Sequence, residues 1–209
     1  MYTMTFATFT EKVLSETELR EIIGFPNEAM RRKQLAALDT HCREFIALSP
    51  FLLIASINAA GEVDVSPRGD PPGFVQVLDE KTLVIPDRPG NRRIDTLSNM
   101  VQQPNVGLLF LIPGQGETLR VNGRACIIRD AAVLERSAID GKKPLLAIAV
   151  EVDECFLHCS KSIRRAKLWE QEHRKTLPSV GQIMIDHAGF TGVTAQQLDE
   201  ALKKDIPLY

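Results

Sequence analysis

The chain has 209 residues, 44% of them hydrophobic, which is enough for one substantial core, so a single domain over residues 1–209 is the first expectation. Lys plus Arg total 25 against 27 Asp plus Glu, leaving a net charge of −2 that argues against a whole-molecule electrostatic grip on nucleic acid or an acidic membrane. The longest apolar runs, near 108–112 and 145–150, fall far short of the roughly 20 residues that span a bilayer, and the first ten residues lack the pattern of a signal peptide. A cytoplasmic location is expected, with Cys42, Cys126, Cys155 and Cys159 as reduced thiols.

Residues 1–50 read as a helical segment. Ser15 with Glu18 is a capping-box pair opening a short helix that Gly24 ends. After Pro26, Leu35, Leu38, Cys42 and Phe45 fall near one face of a second helix, which Pro50 stops. From Phe51 onward the pattern becomes short β-prone runs separated by Gly, Pro, Asn and Asp, which predicts strands over 51–58, 63–66, 74–78, 82–86, 106–112, 118–128 and 145–158. Turns at 59–62 and 79–81 join the first two pairs. Helices are expected over 91–102, 130–137 and 161–172, and Thr194 with Gln197 caps a last helix toward Lys203. This is a mainly β chain with flanking helices. The order fits an antiparallel closed or partly closed barrel over 51–159, followed by a C-terminal helical segment over 160–209, better than an alternating βαβ sheet.

Three clusters carry polar chemistry. In the run from Ile85 and Pro86 to Asp95, a strand ends, a Pro/Gly turn follows, and Asn91 stands as N-cap of a helix whose first residues are Arg92 and Arg93. Cations in a first turn oppose the helix dipole, whereas free N–H groups and guanidinium forks together suit a phosphate. In Asp64-Val65-Ser66-Pro67-Arg68-Gly69-Asp70, alternation puts Asp64, Ser66 and Arg68 on one face, and Pro67 places the segment at a sheet edge. In the strand from Thr118 to Arg124, Leu119, Val121 and Ala125 alternate with Thr118, Arg120, Asn122 and Arg124.

Other chemistries lack their signatures. Gly114 and Gly116 are not followed by the third glycine and helix of a dinucleotide fingerprint. An extended Cys155–Cys159 segment turns His158 away from both thiols, so no metal site is expected. No Gly-x-Ser-x-Gly elbow marks a nucleophile, and no carboxylate array accompanies the arginines to hold Mg²⁺. Lys161, Arg164, Arg165 and Lys167 lead to Trp169, the only tryptophan, beside acidic neighbours, which is too thin for a nucleic-acid patch but suits cover over a planar ligand.

The succession Val65 to Phe74, Ile85 to Asp95, Asn105 to Gly114, Glu117 to Ala125 and Cys155 to Trp169 resembles the pyridoxamine 5′-phosphate oxidase-like FMN-binding proteins, in the bacterial branch with unassigned substrates. The resemblance implies a split β-barrel homodimer with FMN in clefts between the subunits. It implies that Arg68, Arg92 and Arg93 take the FMN phosphate beside Asn91, and that Val65, Ser66, Pro67, Ile85 and Pro86 line the ribityl chain and ring. Thr118, where relatives often carry a glutamine, and Arg120 complete the set, with Lys161 and Trp169 supplied by the partner. The ending Lys204-Asp205-Ile206-Pro207-Leu208-Tyr209 lacks the Arg-Leu-x-Pro pattern of true pyridoxamine phosphate oxidases, so vitamin B6 oxidation is not the first expectation.

The expected function is an FMN-dependent oxidoreductase exchanging hydride with a small organic substrate or NAD(P)H, with no catalytic side chain identified. The alternative is a non-catalytic protein that holds FMN, a deazaflavin or haem on the same scaffold.

Overall fold

A computed structural model describes residues 8–170 and 177–204. Backbone contacts divide the chain into a short unit ending at Gln34 and a larger one beginning at Leu35. The short unit holds α1 (Glu16–Ile23) and α2 (Glu28–Arg32). Ser15 caps α1 by accepting the Glu18 N–H at 3.2 Å, while the Glu18 carboxylate takes the N–H of Leu14 at 3.1 Å. Asn27 caps α2 through the Met30 N–H.

The larger unit opens with α3 (Thr40–Leu48) and continues with the seven expected strands, β1 (Phe51–Ile57), β2 (Val63–Gly69), β3 (Gln76–Val77), β4 (Thr82–Asp87), β5 (Asn105–Leu111), β6 (Thr118–Ile128) and β7 (Leu146–His158). All pair antiparallel in one sheet of order β2-β1-β5-β6-β7-β4-β3. The fold is an antiparallel split β-barrel. Between the strands lie α4 (Asp95–Gln102) and α5 (Ala131–Arg136), and after them α6 (Lys161–Ala166), α7 (Val180–Ala188) and α8 (Ala195–Lys204).

Alternation fills the barrel. Leu52 and Ile54 of β1, Val106, Leu108 and Phe110 of β5, Leu119 and Val121 of β6 and Val150 and Val152 of β7 are buried in one cluster with Ile46 of α3 and Leu97 and Met100 of α4. Polar side chains in the core find partners: Asn99 donates to Ser56 Oγ at 3.1 Å, and the Ser49 hydroxyl lies between the carbonyls of Phe51 and Leu111. The β1–β2 hairpin closes with Gly61 at φ +83°, where a side chain would be strained. At a bulge between Asn122 and Gly123, a Cβ on Gly123 would lie 2.1 Å from the Glu151 carbonyl oxygen. Only glycine fits there.

Four expectations need correction. The stripe from Leu35 to Phe45 is not one helix: Leu35 exchanges two backbone hydrogen bonds with Cys155 at 2.8 and 2.9 Å, and Asp39 starts α3 by accepting the Cys42 N–H. The run 74–78 pairs over only two residues. The helix expected from Asn91 begins at Asp95, because Arg92 (φ 61°) and Ile94 (φ 57°) are left-handed, and Ile94 is the residue before the helix. The helix expected over 161–172 ends at Ala166, where Lys167 turns left-handed, and its last positions, 171 and 172, lie outside the described residues. α7 went unpredicted, although Ser179 caps it through the Gln182 N–H and Gly189 ends it. The Thr194–Gln197 capping box of α8 forms reciprocally, at 2.9 and 3.2 Å. The first seven residues and the tail 205–209 also lie outside the described residues. No described helix is long and apolar enough to cross a membrane.

Candidate functional site

The split of the barrel brings together the ends of β2 and β4, which are not neighbours in the sheet. Arg68 near the end of β2 donates through Nη1 to Ser66 Oγ at 2.7 Å and to the Pro67 carbonyl at 3.2 Å, and its Nη2 lies 3.9 Å from Asp87 Oδ1 at the end of β4. Nε of Arg68 is buried with no hydrogen-bond partner among the described residues. Burial pushes the Asp87 carboxyl above the usual aspartate range, and the nearby Arg68 guanidinium only partly offsets this. One residue past the end of each strand, Arg88 Nε donates to Asp70 Oδ2 at 2.6 Å, in a pair whose Asp70 side chain is 1% exposed, and Arg88 Nη2 donates to the Ser137 carbonyl. This buried pair joins the two strand ends, and α4 adds another tie where Thr96 Oγ1 donates to Asp64 Oδ2 at 2.7 Å.

On β2 the usual polarity is inverted. Asp64, Ser66 and Arg68 are half-buried, whereas Val63 and Val65 are 69% and 58% exposed. Pro67 lies on this edge strand, opposite Leu53, where no further strand needs its missing N–H. Ile85 and Pro86 of β4 are buried, and the Ile85 side chain belongs to the core, so only its backbone can face a ligand.

The β4–α4 loop carries the other arginines. Asn91 does not cap a helix; its Oδ1 accepts the Arg93 N–H at 3.0 Å inside the loop. Arg93 pairs with Asp95 at 2.7 Å, and Arg92 is exposed and makes no hydrogen bond or ion pair among the described residues. The helix-terminus reasoning that first drew attention to these arginines therefore does not describe them. What remains is a loop with two left-handed non-glycine residues, Arg92 and the β-branched Ile94, a strain that such loops carry where a ligand is clamped.

Thr118 and Arg120 form a second group. Within one chain they lie three strands from Ser66 and Arg68, roughly 14 Å at about 4.8 Å per strand. Arg120 stacks over the Phe156 ring at 4.3 Å and its Nη2 lies 3.3 Å from Glu154, which also accepts from Asn122 at 2.6 Å. Its Nε, like that of Arg68, is buried without a partner. Thr118 is buried and registers against His158. Lys161 opens α6, and Trp169 donates its indole N–H to the Gln115 carbonyl at 2.8 Å, on the turn before β6. The predicted residues thus fall into two sets in a single chain: β2, β4 and the Arg92 loop on one side, and the start of β6 with Lys161 and Trp169 on the other. Sequence reading missed Asp87 and the Arg88–Asp70 pair; the signal was the charged residue at the end of each flanking strand.

An open cleft of about 370 Å³ on the outer sheet face is lined by Ala55, Ile57, Val63, Gly107, Asn122 and Asp153, among others, and by none of the arginines at the split. Among the described residues no three His, Cys, Asp or Glu side chains are grouped to hold a metal ion. Cys42 and Cys155 are buried free thiols 3.8 Å apart, both held protonated chiefly by burial. They are core residues.

The sequence model of the family described as pyridoxamine 5′-phosphate oxidase matches residues 38–159. No curated protein matches the sequence. Among solved structures, HupZ of Group A Streptococcus is 18% identical, covering 59% of this chain and 95% of that one with a TM-score of 0.47. An FMN-binding protein from Syntrophomonas wolfei is 10% identical, covering 55% and 86% with a TM-score of 0.42. General Stress Protein 26 from Bacillus anthracis is 15% identical, covering 56% and 94% with a TM-score of 0.40.

Proposed function

Since the chain belongs to the pyridoxamine 5′-phosphate oxidase family, we propose that it is an FMN-dependent oxidoreductase that works as a homodimer on a small organic substrate or NAD(P)H. The observation that carries this reading is the buried, unpartnered Nε of Arg68 at the mouth of the barrel's split. An unsatisfied buried donor costs about 1–3 kcal/mol, and a phosphate oxygen removes that cost. Arg68, the free Arg92 and Arg93 would hold the phosphate of FMN, with Ser66 and the backbone of Val65, Pro67, Ile85 and Pro86 along its ribityl chain. Bound there, FMN supplies a ring that accepts and releases a hydride equivalent.

The residues of the chain do the rest by placement. The Arg88–Asp70 pair fixes the two strand ends, so Arg68 is held in place before a ligand arrives. Ser66 fixes the Arg68 fork by accepting from it. Asp87 opposes an anion when ionised, and its raised pKa softens that opposition.

Two features support completion of the site by a second copy. The exposed valine face of β2 continues onto half-buried Leu53, Ala55, Gly107 and Leu109, an apolar sheet surface. Thr118 and Arg120 stand three strands from Ser66 and Arg68 in the single chain, and a symmetric pairing would bring one chain's set, with Lys161 and Trp169, against the other's.

The test is the visible spectrum of the purified chain, identification of the released chromophore, and anaerobic stopped-flow reduction with NADH and NADPH. Bound FMN that a nicotinamide or an organic donor reduces is the expected result. A chain that takes up no FMN, or holds FMN that no donor reduces, contradicts the proposal.

A further inference from the structure

A cleft distinct from the split lies between α3, β3 and α5. Its volume is about 480 Å³, within the range of small-molecule sites, and Arg43, Val75, Gln76, Val77, Leu78 and Arg136 line it. Its chemistry is divided. Val75, Val77 and Leu78 give an apolar wall on which Leu78 is 44% exposed. Two guanidinium groups flank that wall, one from α3 and one from α5.

Neither arginine is neutralised by an ion pair among the described residues. Arg43 donates through Nε to the Leu38 carbonyl at 3.3 Å, and Arg136 makes no hydrogen bond or ion pair among the described residues. The nearby carboxylates are engaged elsewhere. Asp79 accepts the Lys81 N–H at 2.7 Å, and that bond, with Arg43 only a minor influence, holds it below the usual range. Glu44 lies against His41 at 3.8 Å and Glu135 against Lys143 at 3.9 Å. Gln76 is anchored by the Val133 carbonyl and the Ser137 hydroxyl, which fixes β3 as one wall.

We infer that this cleft binds an amphipathic organic anion, its apolar body against Val75, Val77 and Leu78 and its acid group between Arg43 and Arg136. Two guanidinium groups without an ion pair among the described residues, at the edges of an apolar wall, suit a ligand that carries the opposite charge on an apolar body, and guanidinium forks match a planar carboxylate in two-point contact. The inference is independent of the flavin reading, since no residue of the cleft belongs to the proposed flavin site.

The experiment is isothermal titration calorimetry of the full chain with octanoate, its neutral counterpart 1-octanol, and acetate, which carries the charge without the apolar body. Octanoate is expected to bind saturably and at least about tenfold more tightly than either control, the loss of one charge-assisted contact being worth about that factor. Arg136→Gln and Arg43→Gln are each expected to weaken octanoate about tenfold or more. Both side chains are exposed, so thermal melts of the variants should match the parent. The double variant Arg92→Gln/Arg93→Gln is expected to bind octanoate as the parent does. No octanoate binding, binding unchanged in both Arg43 and Arg136 variants, loss of binding in the Arg92/Arg93 variant, or equal binding of octanol or acetate would each overturn the inference.

Discussion

Replacing Arg68 with methionine separates a ligand-holding arginine from a structural one. In the fold, Arg68 makes two hydrogen bonds, to Ser66 Oγ and the Pro67 carbonyl, and stands 3.9 Å from Asp87, beyond hydrogen-bonding range. Two such bonds contribute about 0.5–1.5 kcal/mol each, and the buried unpartnered Nε costs about 1–3 kcal/mol. These nearly cancel, so Arg68→Met should change the stability of the FMN-free chain by about 1 kcal/mol or less, a shift of roughly 2–4 °C in a chain of this size. Affinity for FMN should behave differently. Loss of a charge-assisted contact of about 1.5–3 kcal/mol weakens binding roughly ten- to hundredfold. Quenching of FMN fluorescence on titration reads the affinity, and a thermal melt without FMN reads the stability. A variant that melts many degrees lower yet binds FMN as the parent does would refute the reasoning, because Arg68 would then serve the fold.

Asp87→Asn is expected to tighten FMN binding severalfold at neutral pH, read by the same titration, since the variant no longer places a carboxylate beside the phosphate. It also tests linkage: a raised aspartate pKa means the folded state holds the proton more firmly, so the stability contributed by protonated Asp87 is present at low pH and lost as pH rises through its folded value. The variant should lose that decline in melts taken across the acid range. Gly123→Ala places a Cβ 2.1 Å from the Glu151 carbonyl oxygen, and should cost about 3 kcal/mol or more, seen as a large fall in melting temperature or loss of folded protein. Thiol titration should find Cys126 and Cys159 reactive in the native chain and Cys42 and Cys155 only after denaturation; rapid reaction of all four would contradict the buried pair.

The strands were legible as runs bounded by turn residues, and period-two burial is a local pattern that β1 follows, with Leu52 and Ile54 inward and Leu53 and Ala55 outward, whereas β4 buries Leu83 to Pro86 in succession. Helix starts were legible at the capping pairs of Ser15 and Thr194, missed at the lone caps Asn27, Asp39 and Ser179, and wrong where the fold overrode local chemistry. Asn91 looks like a cap, yet the backbone turns left-handed at Arg92 and Ile94, and α4 starts uncapped by a side chain. The stripe through Leu35 misled because Leu35 uses its backbone to pair with Cys155, over a hundred residues away. The site was legible as residue types at strand ends, in Ser66, Arg68, Arg92 and Arg93. Its geometry was not: the approach of Asp87 to Arg68 and of Arg88 to Asp70 depends on two strands, distant in sheet order, meeting at the split. Inverted polarity on β2 was visible as alternation, but which face turns inward is decided by α4 reaching Asp64 through Thr96.

A crystal structure of the chain grown with FMN tests the central claim most directly. The account predicts the phosphate against Arg68, Arg92 and Arg93, with Nε of Arg68 now paired and the ring lodged between two copies. Density for FMN elsewhere, or a phosphate that leaves the Arg68 guanidinium untouched, would contradict it.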